Sequence, residues 1–131
     1  MKKGIIRNLS IITTAAFCMS AMPGDGVITK EGKTTIINTT TIGKSIEGYN
    51  GATPIKIYIE RNKIVKIEAL PNQETPKYMH RVKKNLFDKW NGMTVKKAVK
   101  ADVDCVTGAT YTSDAVIKNV KKGLKYYLEK K

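Results

Sequence analysis

Between Pro54 and Glu60 isoleucine stands at every second position, with Ile55, Ile57 and Ile59 separated by Lys56 and Tyr58. Successive side chains of a strand point to opposite faces, so this run makes one buried face and one wetter face. Arg61-Asn62 follows as a tight turn, and Lys63–Leu70 reads as the return strand, with Val65, Ile67 and Ala69 on one face. The two runs together predict a β-hairpin. Upstream, Val27–Thr41 is rich in Ile and Thr, both good strand residues, and Gly32 marks a turn between two short strands. Residues 43–54 carry three glycines and a proline and read as an irregular connection or a bulged strand.

Helical periodicity takes over after the loop at 71–76. Met79, Val82, Leu86 and Trp90 recur at spacings of three and four, which predicts one helix over Lys77–Asn91, stopped by Asn91-Gly92. Val95–Val99 reads as a further helical turn, and Asp102–Thr110 as a short strand ending in a tight turn. The last helix is expected from Ser113 to Glu129, burying Val116, Val120, Leu124 and Tyr127 or Leu128. Thr112 or Ser113 would be its N-cap, and Asp114 would sit in its first turn. The fold class is therefore α+β, a mostly antiparallel sheet with two main helices.

Charge and cysteine usage narrow the function. Lys plus Arg number 24 against 11 for Asp plus Glu, a net charge of +13 in 131 residues. Such a surface attracts anions of several kinds. Residues 1–7 hold Lys2, Lys3 and Arg7, and 9–22 are apolar or small, which is the pattern of a secretory signal peptide over 1–21 cleaved after Ser20 or Ala21. An uncleaved membrane anchor is the alternative; a lipoprotein reading of Cys18 is weaker, because Phe17 stands where a small residue is expected. The first 21 residues hold three positive charges and no negative one, so +10 belongs to the rest. Export argues against nucleic acid as a partner and places the chain outside the cytoplasm. With Cys18 removed, Cys105 is the single thiol and no internal disulfide can form. With His80 the sole histidine, the usual Cys/His metal site is not expected.

The segment most informative about chemistry is Asp104-Cys-Val-Thr-Gly-Ala-Thr110, followed by Tyr111, Thr112 and Ser113. Gly108 permits a tight turn and a close backbone approach, and a helix begins just after it. Four hydroxyls, those of Thr107, Thr110, Thr112 and Ser113, gather at that helix start. Free backbone N–H groups and the helix dipole favour an anion there, above all a phosphate. On the residues alone, a phosphate site and an ordinary capped turn stay equally open.

The same residues resemble the flavinylation motif of the FMN-binding domain family, which includes the peripheral FMN subunits of the sodium-pumping quinone reductase and of the Rnf complexes. Asp104, Thr107, Gly108, Ala109 and Thr110 each match a motif position, and the run through Val120 is similar to the family's usual ending. Gly48–Gly51 resembles the family's glycine-tyrosine turn, and Gln73–Pro76 its Glu-Thr-Pro loop, which approaches the flavin ring. One departure stands out: Lys77, Tyr78 and Met79 follow where many members have glycines. The resemblance covers about 43–128, and the expected organisation is a signal peptide over 1–21, a strand region over 22–42 and an FMN-binding domain over 43–131.

What the resemblance implies is specific. FMN would be joined by a phosphoester bond to Thr110, with Asp104, Thr107, Gly108, Ala109, Tyr111, Thr112, Ser113, Glu74 and Thr75 as further cofactor-binding residues and no catalytic residue. A separate flavin transferase using FAD and a divalent metal would make the bond. A redox partner protein or a membrane electron-transfer complex would exchange electrons with the domain. Tyr49, Tyr58, Tyr78 and Tyr111 are candidates to stack on the ring, whereas Trp90 belongs to the core stripe. Cys105 reads as a small apolar filler and His80 as a surface residue. Two other functions remain open at this point: a flavin-dependent reductase of a small extracellular acceptor, and a flavin-free basic module that binds an acidic polymer or a membrane.

Overall fold

The computed structural model describes residues 26–130; the expected signal segment, with Cys18, lies outside them. Four strands form one antiparallel sheet in the order β1-β2-β3-β4: β1 Ile28–Glu31, β2 Thr34–Asn38, β3 Ile55–Glu60 and β4 Lys63–Ala69. The helices are α1 Pro76–Asn85, α2 Val95–Lys100 and α3 Thr110–Lys130, with a 3-10 turn over Phe87–Trp90 between the first two. The α+β expectation holds, with two long helices and one short one.

The β3–β4 hairpin turns through Arg61 and Asn62, both at positive φ (52° and 62°), the backbone of a two-residue turn whose twist matches the strands. Ile55, Ile57 and Ile59 are buried, as the alternation requires. β4 departs from the expected parity. Ile57 pairs with Ile67, Tyr58 with Lys66 and Ile59 with Ile64, so Val65 is one residue too many and forms a β-bulge. The bulge turns Ile64 and Ile67 inward and leaves Val65 44% exposed.

The helices cover the sheet. α3 packs on β2 and β3, the 3-10 turn packs on β4, and α1 and α2 pack on α3. Met79, Val82, Leu86 and Trp90 are all buried, yet not on one helix. α1 ends at Asn85, and Leu86 turns to φ −120°. Phe87 is buried beside Leu86, and two adjacent side chains cannot share an α-helical face. The three-residue period of the 3-10 turn puts Phe87 and Trp90 together on one side. On α3, Val116, Val120 and Leu124 are fully buried. Among the described residues no helix is long and apolar enough to cross a membrane.

Candidate functional site

The site is assembled where three segments meet: the turn at 48–51, the loop at 72–75 and the start of α3. That start differs from expectation. Residues 101–109 form no strand, and α3 begins at Thr110 rather than Ser113. Ser113 is not a cap. Its buried hydroxyl donates to the Ala109 carbonyl at 2.7 Å and accepts the Val106 N–H at 2.9 Å, fastening the preceding turn to the helix. The first backbone bond runs from Ser113 N–H to Ala109 C=O, so the N–H groups of Thr110, Tyr111 and Thr112 precede the helical ladder. No acid occupies the first turn; Asp114 lies one turn further on and pairs with Lys118 at 2.9 Å.

The hydroxyls thus divide by role. Ser113 is committed to the turn, and Thr112, also buried, donates to Glu74 Oε1 at 2.5 Å. Thr107 and Thr110 are exposed, and neither hydroxyl makes a hydrogen bond among the described residues. Gly108 between them sits at φ +84°, which L side chains rarely adopt, and a Cβ there would stand 2.5 Å from Arg81 Nη1. The Arg81 guanidinium lies over this turn and donates to the Thr107 carbonyl at 3.4 Å.

Glu74 is the junction of the three segments. It is 5% exposed and accepts the N–H groups of Tyr49 (2.8 Å) and Asn50 (2.7 Å) besides the Thr112 hydroxyl. A buried carboxylate costs a great deal unless donors surround it, and here three do. Gly48 makes room, since any Cβ at that position would run into this carboxylate. Asn50 Nδ2 adds a bond to the Thr75 hydroxyl at 3.3 Å. Glu74 therefore lies behind the site and holds its walls; Thr75 is half-buried beside it.

Those walls enclose a pocket of about 310 Å³ lined by Tyr49, Tyr78 and Gly108–Thr112. Tyr49 stacks with Tyr111, centroids 6.1 Å apart and planes 30° from parallel, and meets Tyr78 edge-on at 6.0 Å. Tyr49 and Tyr111 are 59% and 68% exposed, so broad aromatic surface is presented beside a helix start with unbonded N–H groups. Flat aromatic walls suit a planar ring, and the helix start suits a phosphate. Asp104, Cys105 and Thr107 face a different cleft, shared with Arg81, Asn85 and Lys89. Ala109 is buried beneath the turn.

The remaining candidates sort plainly. Tyr58 is away from the pocket on the sheet, donating to Glu68 at 2.7 Å. Trp90 is core and His80 is exposed. Cys105 is exposed rather than a filler, and no strand end holds it. Partial burial, with the carboxylates of Asp114 and Asp104, pushes its thiol up from the usual value. No sequence signal points to Arg81, because only the folded chain brings it to the turn at Thr107.

A small α+β domain with a tyrosine-walled pocket at an uncapped helix start is a domain built to hold a flat, phosphorylated cofactor. The family model of the FMN-binding domain matches residues 48–125. A curated relative, one of the subunits of the ion-translocating oxidoreductase complex of Vibrio parahaemolyticus serotype O3:K6 (strain RIMD 2210633), is 34% identical over 122 residues, 82% of this chain and 56% of the relative. This chain thus spans little more than half the length of the curated relative it matches. The chain belongs to the FMN-binding domain family, and FMN is its cofactor.

Proposed function

We propose that this chain is an extracytoplasmic electron-transfer domain whose FMN is attached by a phosphoester bond to Thr110. The observation that carries the proposal is the division of hydroxyls at the α3 start. Thr110 is the one among them that is exposed, unbonded and in the wall of the tyrosine pocket.

Each residue then has a task. Thr110 Oγ1 supplies the oxygen of the ester. From FAD, a bond forms between that oxygen and the flavin-side phosphorus, the pyrophosphate bridge breaks, and AMP leaves with the hydroxyl proton transferred to solvent. The N–H groups of Thr110, Tyr111 and Thr112 and the positive end of the helix stabilise the charge that the phosphodiester keeps. Tyr49, Tyr78 and Tyr111 offer faces and edges to the ring. Glu74 and Ser113 hold the backbone on which these groups ride. Bound FMN supplies a ring system that accepts and releases one or two electrons, while the protein orients it and sets its field.

The basic, apolar N-terminal segment supports export, and a bond that cannot dissociate suits a place where lost flavin is not replaced. The relative's name describes a component of an oxidoreductase complex, and we assign this chain a partner of the same kind. The test is the intact mass of the full chain produced beside a flavin transferase. The expected product carries one FMN less one water, on the peptide containing Thr110. It is retained in Thr110→Ser and absent in Thr110→Ala. A chain that stays unmodified with an active transferase, or an adduct on another peptide, overturns the proposal.

A further inference from the structure

A second concavity among the described residues is larger than the tyrosine pocket. It is a groove of about 540 Å³ between the C-terminal half of α3 and the segment around 42–46. Lys118, Lys121, Lys122, Lys125 and Tyr126 line it from α3, and Ile42 and Ile46 line it from the facing segment; Ile42, Ile46 and Tyr126 are each half-buried. Glu129 closes one end as the single acid of the lining. Lys118 is paired with Asp114, both half-exposed, whereas Lys121, Lys122 and Lys125 have no carboxylate partner among the described residues. Lysines of a merely solvated helix face need no apolar trough beneath them. Here charge and apolar surface are arranged together.

We infer that this groove docks an extended polypeptide segment of a partner protein in which acidic and apolar side chains alternate. Lys118 and Lys122, and likewise Lys121 and Lys125, are four residues apart, about 6 Å along the helix axis. Same-side residues of an extended chain recur at about 6.6 Å, so successive acids can meet successive lysines on α3 while the residues between them face Ile42 and Ile46 across the groove. A bilayer fits less well, because Ile42, Ile46 and Tyr126 are each half-buried and offer little apolar surface to insert. Thr110 lies eight residues before Lys118, about 12 Å along the same helix. A docked segment therefore leaves the tyrosine pocket open and fixed at a set distance. The docking does not depend on Thr110 carrying flavin.

The test uses the full chain, with and without flavin, and two fluorescein-labelled peptides of equal composition: one of alternating Asp and Val, one with the Asp and Val residues in separate blocks. The alternating peptide is expected to bind several-fold more tightly at low salt. Replacing Lys118, Lys121, Lys122 and Lys125 together by Gln should weaken it roughly sixteenfold, about twofold per exposed pair. The same charge removal at Lys30, Lys33, Lys96 and Lys97 should leave the preference intact, and Ile42→Ser should weaken the alternating peptide alone. Equal binding of both peptides, or equal loss from either set of four, overturns the inference. So does binding to phosphatidylglycerol vesicles that exceeds peptide binding and needs the α3 lysines.

Discussion

Glu74→Gln tests the geometry of the site most directly, since shape is preserved and only acceptor capacity and charge change. In the native chain Oε1 accepts from Tyr49 N–H and the Thr112 hydroxyl, and Oε2 accepts from Asn50 N–H. Whichever way the amide is turned, its nitrogen faces at least one of these donors. That bond is lost and a buried N–H is left unpaired, which costs roughly 1.5–3 kcal/mol. The bonds that survive lose charge assistance, roughly 1 kcal/mol each, partly offset because no charge need be buried. The net expectation is about 2–4 kcal/mol, read as a lower urea midpoint with unchanged slope. The corresponding fall in melting temperature is on the order of 10 °C. The exposed neighbour Gln73→Ala should stay within about 0.5 kcal/mol of the parent. Hydrogen exchange should quicken most at the amides of Tyr49 and Asn50. If Glu74→Gln unfolds within about 0.5 kcal/mol of the parent, the carboxylate is not the junction of the three segments, and the account of the pocket walls fails.

Ser113→Ala should cost about 1–3 kcal/mol, because the partly buried Val106 N–H loses its acceptor and the buried hydroxyl its bond to Ala109, while Thr107→Ala at the exposed, unbonded hydroxyl should be nearly silent; equal effects in chemical denaturation would refute the division of hydroxyls. The Tyr58 phenol is pushed up to about 12, first by its bond to Glu68, then by burial and the carboxylates of Glu68 and Glu31. The folded chain therefore holds that proton where an unfolded tyrosine, titrating near 10, has released it. The stabilisation is complete below about pH 10 and is lost as pH rises through about 12. Ultraviolet titration against Tyr58→Phe should show Glu68→Gln returning the midpoint toward 10, and an unmoved midpoint would refute the cause.

Much of the fold is legible in the residues because it rests on periodicity. The Ile55–Ile57–Ile59 alternation, the Arg61-Asn62 turn and the buried Val116–Val120–Leu124 stripe all appear where the spacing puts them. What the spacing hides is any place where two periods meet. The bulge at Val65 resets the parity of β4, and its cause lies in pairing with β3 rather than in β4 itself. The break after Asn85 is hidden in the same way, since Leu86 continues the helical stripe while Phe87 starts a different one. The motif around Thr110 is visible in its residues, but composition puts the start of α3 three residues late. Ser113 has the composition of a cap and the position of an interior residue, where it bonds back to Ala109.

That shift changes what the motif can do. A helix starting at Ser113 would spend its hydroxyls on capping and leave Thr110 in a loop. With the start at Thr110, Ser113 and Thr112 are consumed by the scaffold, and the remaining threonine hydroxyl of the pocket sits beside the unladdered N–H groups. The pocket itself is small and open: 310 Å³ lies at the low end of ligand sites, and two of its three tyrosines are more than half exposed. Burial on that scale gives a flavin little hold against dilution, since retention by contacts alone depends on removing most of a ligand's surface from water. The ester proposed at Thr110 would remove that requirement and leave the ring free to stay exposed toward a redox partner. Openness, which would be a defect in a dissociable cofactor site, fits the proposed tethered flavin, whose ring must stay within reach of the protein it exchanges electrons with.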